Sequence, residues 1–578
     1  MFDRLAGQET EYALHWVGDG PPVPRSELFD AIDRALQELV ATRPGQRWIR
    51  RQRFTQYGGS YALEEIPTEP DSGLFEAATP ECTSPIELLT YQRMQDELIA
   101  RAAEIANRRL RTRPPRRGRL VVLRNAMDAA GHRYGPQENY EVRIATGWRR
   151  AALLAGLVAL TPVVVVVGLL SWLVVLLAVL LGVGAALVLL CVQLLRTLRS
   201  GEEELLEDVE ARYERWVHRL EGALVGVERV ISWPAAAPFV ALLRSVAFVP
   251  HRRALTAFLL SRIVFTGTGS LDEQGIFHLS EKARGLTGMM RADGRPSSAT
   301  VFDTGNLLKG IGALLVLNPR GFGALARPRQ RMQLSFSDAN RCEWAELARI
   351  GTTMLMIDLA EAGALDDAPH PSDPLTALRT WNRGEEGFRT EVPLADGSVM
   401  SALEVQRWYL ERAEAWLAEQ TEDSLEARAV LRAWRRALEL AETPGPYGPE
   451  HPGFGRLDWV TKRALLEHLG PEASPAARKK IDLKYHQLVD GYFEELVEAG
   501  GVVRVVDPAA LDAARQEPPE RSPAHHRGRL VRRLAEADQA ARVSWSEVRI
   551  GGRLGHRVGA QVIDLSRYRD RRGGDDEG

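Results

Sequence analysis

Residues 3–14 read DRLAGQETEYAL. Apolar and polar side chains alternate around Glu9 and Glu11, as they do along a strand with one buried face. Glutamates two residues apart on a strand point to the same side. More carboxylates and amides recur beside strand-like runs further on. Glu76 and Glu81 flank the TPEC turn, and Glu138 lies in QENY. In RMQLSFS (331–337), Gln333, Ser335 and Ser337 take one face and Met332, Leu334 and Phe336 the other, with Asp338, Asn340 and Glu343 following.

A sheet face carrying several carboxylates is costly to bury unless a cation sits on it. Hard oxygen ligands suit Mg2+, which usually arrives with nucleotide phosphate. FTGTGSL (265–271) is glycine-rich but lacks the lysine of a phosphate-binding loop, so any ATP must be held by the sheet itself.

The chain of 578 residues is 45% hydrophobic and 26% charged, which fits a large globular protein and excludes a disordered one. A net charge of −3 speaks against nucleic-acid binding. Three scattered cysteines, Cys82, Cys191 and Cys342, exclude a disulfide framework and a cysteine zinc site, and they fit a reducing compartment. The opening residues carry no basic stretch followed by an apolar core, so no secretory signal is expected there.

Residues 151–195 contain no Asp, Glu, Lys, Arg or His. As one helix they would reach roughly 67 Å, about twice the hydrocarbon thickness of a bilayer. Two spans of about 20 residues are expected instead, with a turn near Gly168–Trp172. Arg149 and Arg150 before, and Arg196 and Arg199 after, place both ends in the cytoplasm. The expected location is the cytoplasmic membrane, with the rest of the chain facing the cytoplasm. Leu206, Val209, Tyr213, Trp216 and Leu220 then form one apolar stripe on a charged helix over 201–222.

Elsewhere the pattern mixes helices and strands. A helix is expected at 26–42, a strand–turn–strand at 47–65, a long helix after TPECTSP, and two strands around a turn at 117–144. Ser401 and Glu404 make a capping box. Residues 508–530, rich in Pro, Arg and His, read as a linker or exposed loop. The tail RYRDRRGGDDEG reads as disordered.

Seven motifs in order carry a resemblance. They are GQETEY (7–12), EAATPECTSP (76–85), the D-x-A-G-x-x-Y-G-x-x-E-N-Y block (128–140), RMQLSFSDAN-x-x-E (331–343), SALEVQR (401–407), LDWV-x-KR (457–463) and DLKYH (482–486). Together they resemble the Pup ligase and Pup deamidase/depupylase family, whose modifier Pup is a prokaryotic ubiquitin-like protein. The resemblance spares only about 148–240, an insertion.

The resemblance implies an α+β, glutamine-synthetase-like fold: a curved antiparallel sheet backed by helices, with a small C-terminal domain. The expected division is a catalytic domain at 1–147 and 241–470, the insertion at 148–240, and a C-terminal domain with tail at 471–578. ATP and Mg2+ are the implied cofactors. The implied activity is ATP-dependent joining of the C-terminal Glu carboxylate of a Pup-like modifier to target proteins, at the membrane. The alternatives are a deamidase or depupylase of that modifier, and an inactive membrane scaffold that binds it.

By position, Glu9 and Glu76 resemble metal ligands, with Glu11 and Glu138 as further candidates. Thr79 and Trp459 resemble ATP contacts; the plainer readings are a turn-capping hydroxyl and a core aromatic. Glu64 stands at the family's catalytic Asp, and a shifted alignment selects Asp71 instead. Ala62 replaces a metal-binding Tyr, unless the strand register slips to Tyr61. Ser60 replaces an ATP-binding Arg, and Gln137 and Gln333 replace two imidazoles.

Overall fold

The computed structural model describes residues 2–19, 23–46, 51–64, 73–111, 117–127, 134–200, 230–231, 233–290, 300–303, 307, 323–421, 424–551 and 561–565. Asp71, the stripe at 201–222 and the tail lie outside them.

Strand β1 (Ala6–Asp19) is the long central element. On one side it pairs antiparallel with β5 (Leu74–Ala78), which continues through β4 (Ser60–Glu64), β3 (Arg53–Thr55) and β2 (Thr42–Pro44). On the other it pairs with β6 (Arg117–Leu123) along its second half and β7 (Gln137–Arg143) along its first. A small hairpin, β8 (Ser270–Leu271) and β9 (Phe277–His278), stands apart. Beyond β7 come β12 (Arg329–Leu334), β11 (Thr300–Asp303) and β10 (Gly288–Met290). Every ladder is antiparallel except β10 with β11, so the sheet is mixed. The expected α+β class is what the chain forms, but the sheet expected to be antiparallel is mixed, because β10 runs parallel to β11.

One face of this sheet packs on helices α1 (Arg25–Leu39), α2 (Pro85–Arg111) and the Glu343–Ala362 helix. Tyr12, Tyr61, Leu63, Phe75, Tyr140, Met332 and Leu334 are buried there, each at the alternate position the pleat dictates. The expected capping box is present: Glu404 N donates to Ser401 Oγ and Ser401 N to Glu404 Oε2.

Residues 508–530 are not a linker. Pro508–Gln516 and Pro523–Glu536 are helices, each opened by a capping side chain (Asp507, Ser522) and a proline in the first turn. Pro508 and Pro523, read as loop punctuation, are helix starts. The second helix packs with β15 (Ala541–Val543), β16 (Glu547–Ile550) and β17 (Gln561–Asp564) around a small separate core of Val531, Leu534, Val543, Val548 and Phe54. The strands Val392–Pro393 and Val399–Met400, β13 and β14, form a peripheral hairpin.

The turn expected near Gly168–Trp172 is absent. Gly147–Ser200 is one helix, α3, of 54 residues with Pro162 inside it. Nothing between 163 and 172 breaks a helix strongly, because an isolated glycine costs only about 1 kcal/mol relative to alanine. The chain re-enters the described structure in helix at 230–231, and a helix over Trp233–Val246, α4, is followed by α5 (Val249–Ser261).

Candidate active site

The register of three strands builds a carboxylate cluster. Glu11 is paired with Glu76 across β1 and β5, and Ala62 with Glu76 across β4 and β5. Glu64, two residues beyond Ala62, therefore leans to the same face. One carboxylate oxygen each from Glu11, Glu64 and Glu76 lie within 4.8 Å of one another. Desolvation lifts Glu11 to about 7; Glu64 and Glu9 add to that, while Lys282 and the Gly135 N–H oppose it. Carboxylate oxygens this close repel one another unless a cation lies among them. An all-oxygen donor set of this kind fits Mg2+.

Glu9, expected as a ligand, faces the same side one pair further along. Both of its oxygens are held by Arg331 at 3.1 Å. Arg331 also donates to Gln333 Oε1 (3.1 Å), Gln333 Nε2 to Gln137 Oε1, and Gln137 Nε2 to Glu11 Oε1 (3.3 Å). The two amides at imidazole positions thus form a chain linking Glu9 to Glu11.

Glu138 is not on this face. It is paired with Gln8 across β7 and β1, on the helix side. Burial opposes its ionisation, but Arg262 (2.5 Å) and Arg349 (2.9 Å) hold it down to about 2. Its neighbour Glu141 occupies the opposite side, which is the period-two consequence that the motif QENY concealed. Tyr61 also points to the core, where its hydroxyl donates to Asp33 (3.0 Å) and its ring stacks on Phe75. The register does not slip, and Ala62 leaves the Tyr function unfilled. Ser60 is buried and accepts from Gln52.

Lys282 was not selected from sequence. Its Nζ donates to Pro136 O (2.8 Å) and Ser335 O (3.2 Å), bracing β7 and β12 beside Glu11. Desolvation brings its ammonium down to about 8, against the pull of Glu11 and Asp338. Asp338 fixes this loop by accepting from Lys282 N, Ser280 Oγ and Thr268 N. The glycines of FTGTGSL serve backbone contact, since a Cβ at Gly267 would lie 2.3 Å from Leu279 O. A Gly267→Ala variant is therefore expected to lower stability and to disturb Lys282, readable as a loss of denaturant midpoint with a parallel loss of activity.

The end of the 331–343 motif, at Asn340–Cys342, meets the motifs at 457–463 and 482–486. Asp458 accepts from Asn340 Nδ2, Arg341 N, Cys342 N and Tyr485 OH. Lys462 donates to Asp482 and to Gly269 O, both at 2.7 Å, and lies 3.0 Å from His486. Trp459 belongs to this hub. It is 2% exposed, donates to Val264 O and packs on Phe388 and Tyr447, so it is the core aromatic and not an open ligand contact.

A cavity of about 300 Å³ opens beside Glu9 and Arg331, lined also by Gly7, Thr79, Trp545 and Leu565. Thr79 is at its wall, and its hydroxyl accepts from Gln8 N (3.0 Å), the turn-capping role. The C-terminal unit closes the opposite wall. Arg527 donates to Gly58 O (2.7 Å), pairs with Glu81, and sits 4.5 Å from the Trp545 ring. Sequence reading missed both residues. The signal was the strand-like alternation of RVSWSEVRI next to a basic stretch dismissed as loop.

The sequence profile described as Pup-ligase protein matches residues 4–549. The Pup–protein ligase of Corynebacterium aurimucosum is 29% identical over 324 residues, 53% of this chain and 63% of that protein. That of Corynebacterium kroppenstedtii is 27% identical over 571 residues, covering 95% and 91%. The depupylase of Acidothermus cellulolyticus is 29% identical over 315 residues, covering 53% and 59%. The first of these matches thus spans less than two thirds of its relative. Among solved structures, the complex between Pup and its ligase PafA superposes with a TM-score of 0.62 at 18% identity, over 98% of this chain and 88% of that one. PafA in complex with ADP gives 0.58 at 18% identity, over 88% and 85%. With the profile running almost end to end and the sheet, the glutamate strand and the C-terminal unit all in place, the chain belongs to the Pup-ligase protein family.

Proposed function

We propose that this protein joins the C-terminal Glu of a Pup-like modifier to target proteins in an ATP-dependent ligation, on a glutamine-synthetase-like sheet. The observation that carries the reading is the cluster of Glu11, Glu64 and Glu76 on one sheet face, with the cavity walled by Trp545 beside Glu9 of the same strand. In this reaction the γ-phosphoryl group of ATP passes to the modifier's side-chain carboxylate. A target lysine amine then attacks the carbonyl carbon, phosphate leaves, and an isopeptide bond forms. Glu11 and Glu76 would hold Mg2+, which supplies charge neutralisation for the phosphoryl groups. Glu64 receives the proton lost by the attacking amine. Arg331 and Lys282 supply fixed positive charge at the edge of the cluster, where anionic substrates enter. Trp545 offers its ring to the nucleotide base.

On that placement, Trp545→Ala is expected to raise the KM for ATP roughly tenfold to hundredfold, from about 1–3 kcal/mol per stacked base. An unchanged KM would remove the base from this cavity.

The apolar insertion is proposed to anchor the enzyme to the cytoplasmic membrane, confining modification to proteins at or near the bilayer. Support comes from a helix with no charged residue over 151–195 and with Leu169, Leu173 and Leu180 all more than half exposed.

The test is intact-mass analysis of detergent-solubilised protein with ATP, Mg2+, a modifier ending in Glu and a membrane extract. Species heavier by one modifier, with nucleotide cleavage, establish the ligase. A gain of about one dalton on a modifier ending in Gln would establish the deamidase, the reading favoured by the depupylase relative. Neither change, with nucleotide bound, would leave the scaffold.

A further inference from the structure

The insertion leaves and rejoins the domain at one place, and that place is basic. Phe248 N, just after α4, donates to Ile144 O, just before α3, at 2.6 Å, and Ile144 N donates to Pro328 O at 3.0 Å. Three segments are thereby held side by side: the start of α3, the junction of α4 with α5, and the loop before β12. The first brings Arg149 and Arg150, the second Arg244, Arg252 and Arg253, and the third Arg327.

Two of the six tie the root together. Arg150 donates to Ala326 O and Arg327 O, and Arg252 to Arg244 O (2.6 Å) and Ala247 O (3.2 Å), so each satisfies carbonyls left open at a helix end. The others are turned outward. Arg244, Arg253 and Arg327 are exposed, and the Arg149 guanidinium lies 5.0 Å from the centre of the Trp148 ring. Among the described residues no carboxylate forms an ion pair with any of the six. Glu361, which reaches this end of the sheet, is taken by Arg4 and His251, both at 3.3 Å, and by Arg143 N at 2.8 Å. Burial, and behind it the charge of Arg253, lower the Arg252 guanidinium from its ordinary value, a sign of like charges crowded together.

The chain as a whole carries −3, so this excess is local. Like charges gathered without counter-charge draw an anionic surface. The uncharged stretch 151–195 begins immediately after Arg150, and Trp148, 69% exposed, stands at the boundary, where an aromatic suits a membrane interface. Charges that flank an apolar stem in this way match a headgroup layer lying over hydrocarbon.

We infer that the root of the insertion is a docking surface for anionic phospholipid headgroups, with their phosphates on Arg149, Arg244, Arg253 and Arg327. The inference rests on the membrane anchoring above and adds the class of lipid to it. Each arginine near such a surface strengthens the attraction roughly fivefold.

The experiment uses the full-length protein with Cys191→Ser and with Thr146→Cys, an exposed position at the root, carrying a bimane label; Cys82 and Cys342 are buried and stay unlabelled. It is reconstituted in phosphatidylcholine nanodiscs doped with a small, equal share of either phosphatidylglycerol or phosphatidylcholine that bears a nitroxide high on the acyl chain. The phosphatidylglycerol probe is expected to quench the bimane several-fold more strongly. The excess is expected to shrink in about 0.5 M salt, which screens exposed charges. It is also expected to vanish in the triple variant Arg244→Gln, Arg253→Gln, Arg327→Gln, which leaves Arg150 and Arg252 on their carbonyls. Equal quenching by the two probes, or an excess indifferent to salt and to the triple variant, overturns the inference. Flotation is read separately: protein that floats with vesicles of either lipid but shows no excess defeats the docking surface alone, whereas protein that floats with neither defeats the anchoring itself.

Discussion

Glu64→Gln is expected to lower conjugate formation by roughly 10²- to 10⁴-fold, the usual contribution of a positioned general base. Gln keeps the shape of Glu64 and its place at the end of β4 opposite Leu74, but it cannot take up a proton. The first half-reaction, transfer of phosphate to the modifier's carboxylate, needs no base. ADP release with the modifier and no target should therefore survive in this variant, and the KM for ATP should change by no more than a few-fold. Glu76→Gln gives the contrasting pattern, because Glu76 is proposed to bind the metal: nucleotide affinity falls along with both half-reactions. Stopped-flow ADP release and intact-mass conjugate counting separate the two. Conjugation at the wild-type rate by Glu64→Gln would return the proton-accepting role to Asp71.

Arg349→Met is expected to be the most damaging single change to stability, at roughly 3–5 kcal/mol, because it strands buried carboxylates. Arg349 is fully buried on the helix side of the sheet, holding Glu138 at 2.9 Å, Glu346 at 2.7 Å and Gln8 at 2.6 Å. Arg262 stays on Glu138, and Arg124 on Glu346 at 3.5 Å, so the network is weakened but not abolished. The pH dependence has a definite sign. Glu138 is depressed from 4.5 to about 2, so its stabilisation is fully present above 4.5 and is lost as the pH falls toward 2. Removing Arg349 raises that folded-state value, and the acid limb of the stability curve moves to higher pH. Urea midpoints between pH 3 and 7 measure both effects. An unfolding free energy within about 0.5 kcal/mol of wild type would show that Arg262 alone compensates Glu138.

Much of the site was legible because strand periodicity is local. GQETEY showed two carboxylates sharing a face, and β1 delivers them so. The amphipathic helix at 25–39 and the capping box at Ser401 needed only near neighbours. Misreadings arose where a residue's partner is distant. QENY offers Glu138 and Asn139 on alternate faces, and only pairing with β1 tells which one meets the glutamates. The motif order singles out Trp459, whereas Trp545 lies in none of the motifs. Val264 O claims the first, and the packing of the Pro523–Glu536 helix against Gly58 brings the second to the cavity.

The sequence by itself determined the α+β class, the family, the glutamate strand and an uncharged stretch too long for one bilayer span. Those properties follow from period, composition and motif order, which are written along the chain. Only the tertiary structure decided which three carboxylates converge, that Arg331 takes Glu9, and that both ends of the insertion stand at one root. Those are set by register between strands and by packing of segments hundreds of residues apart, where a shift of one position turns every side chain to the other face.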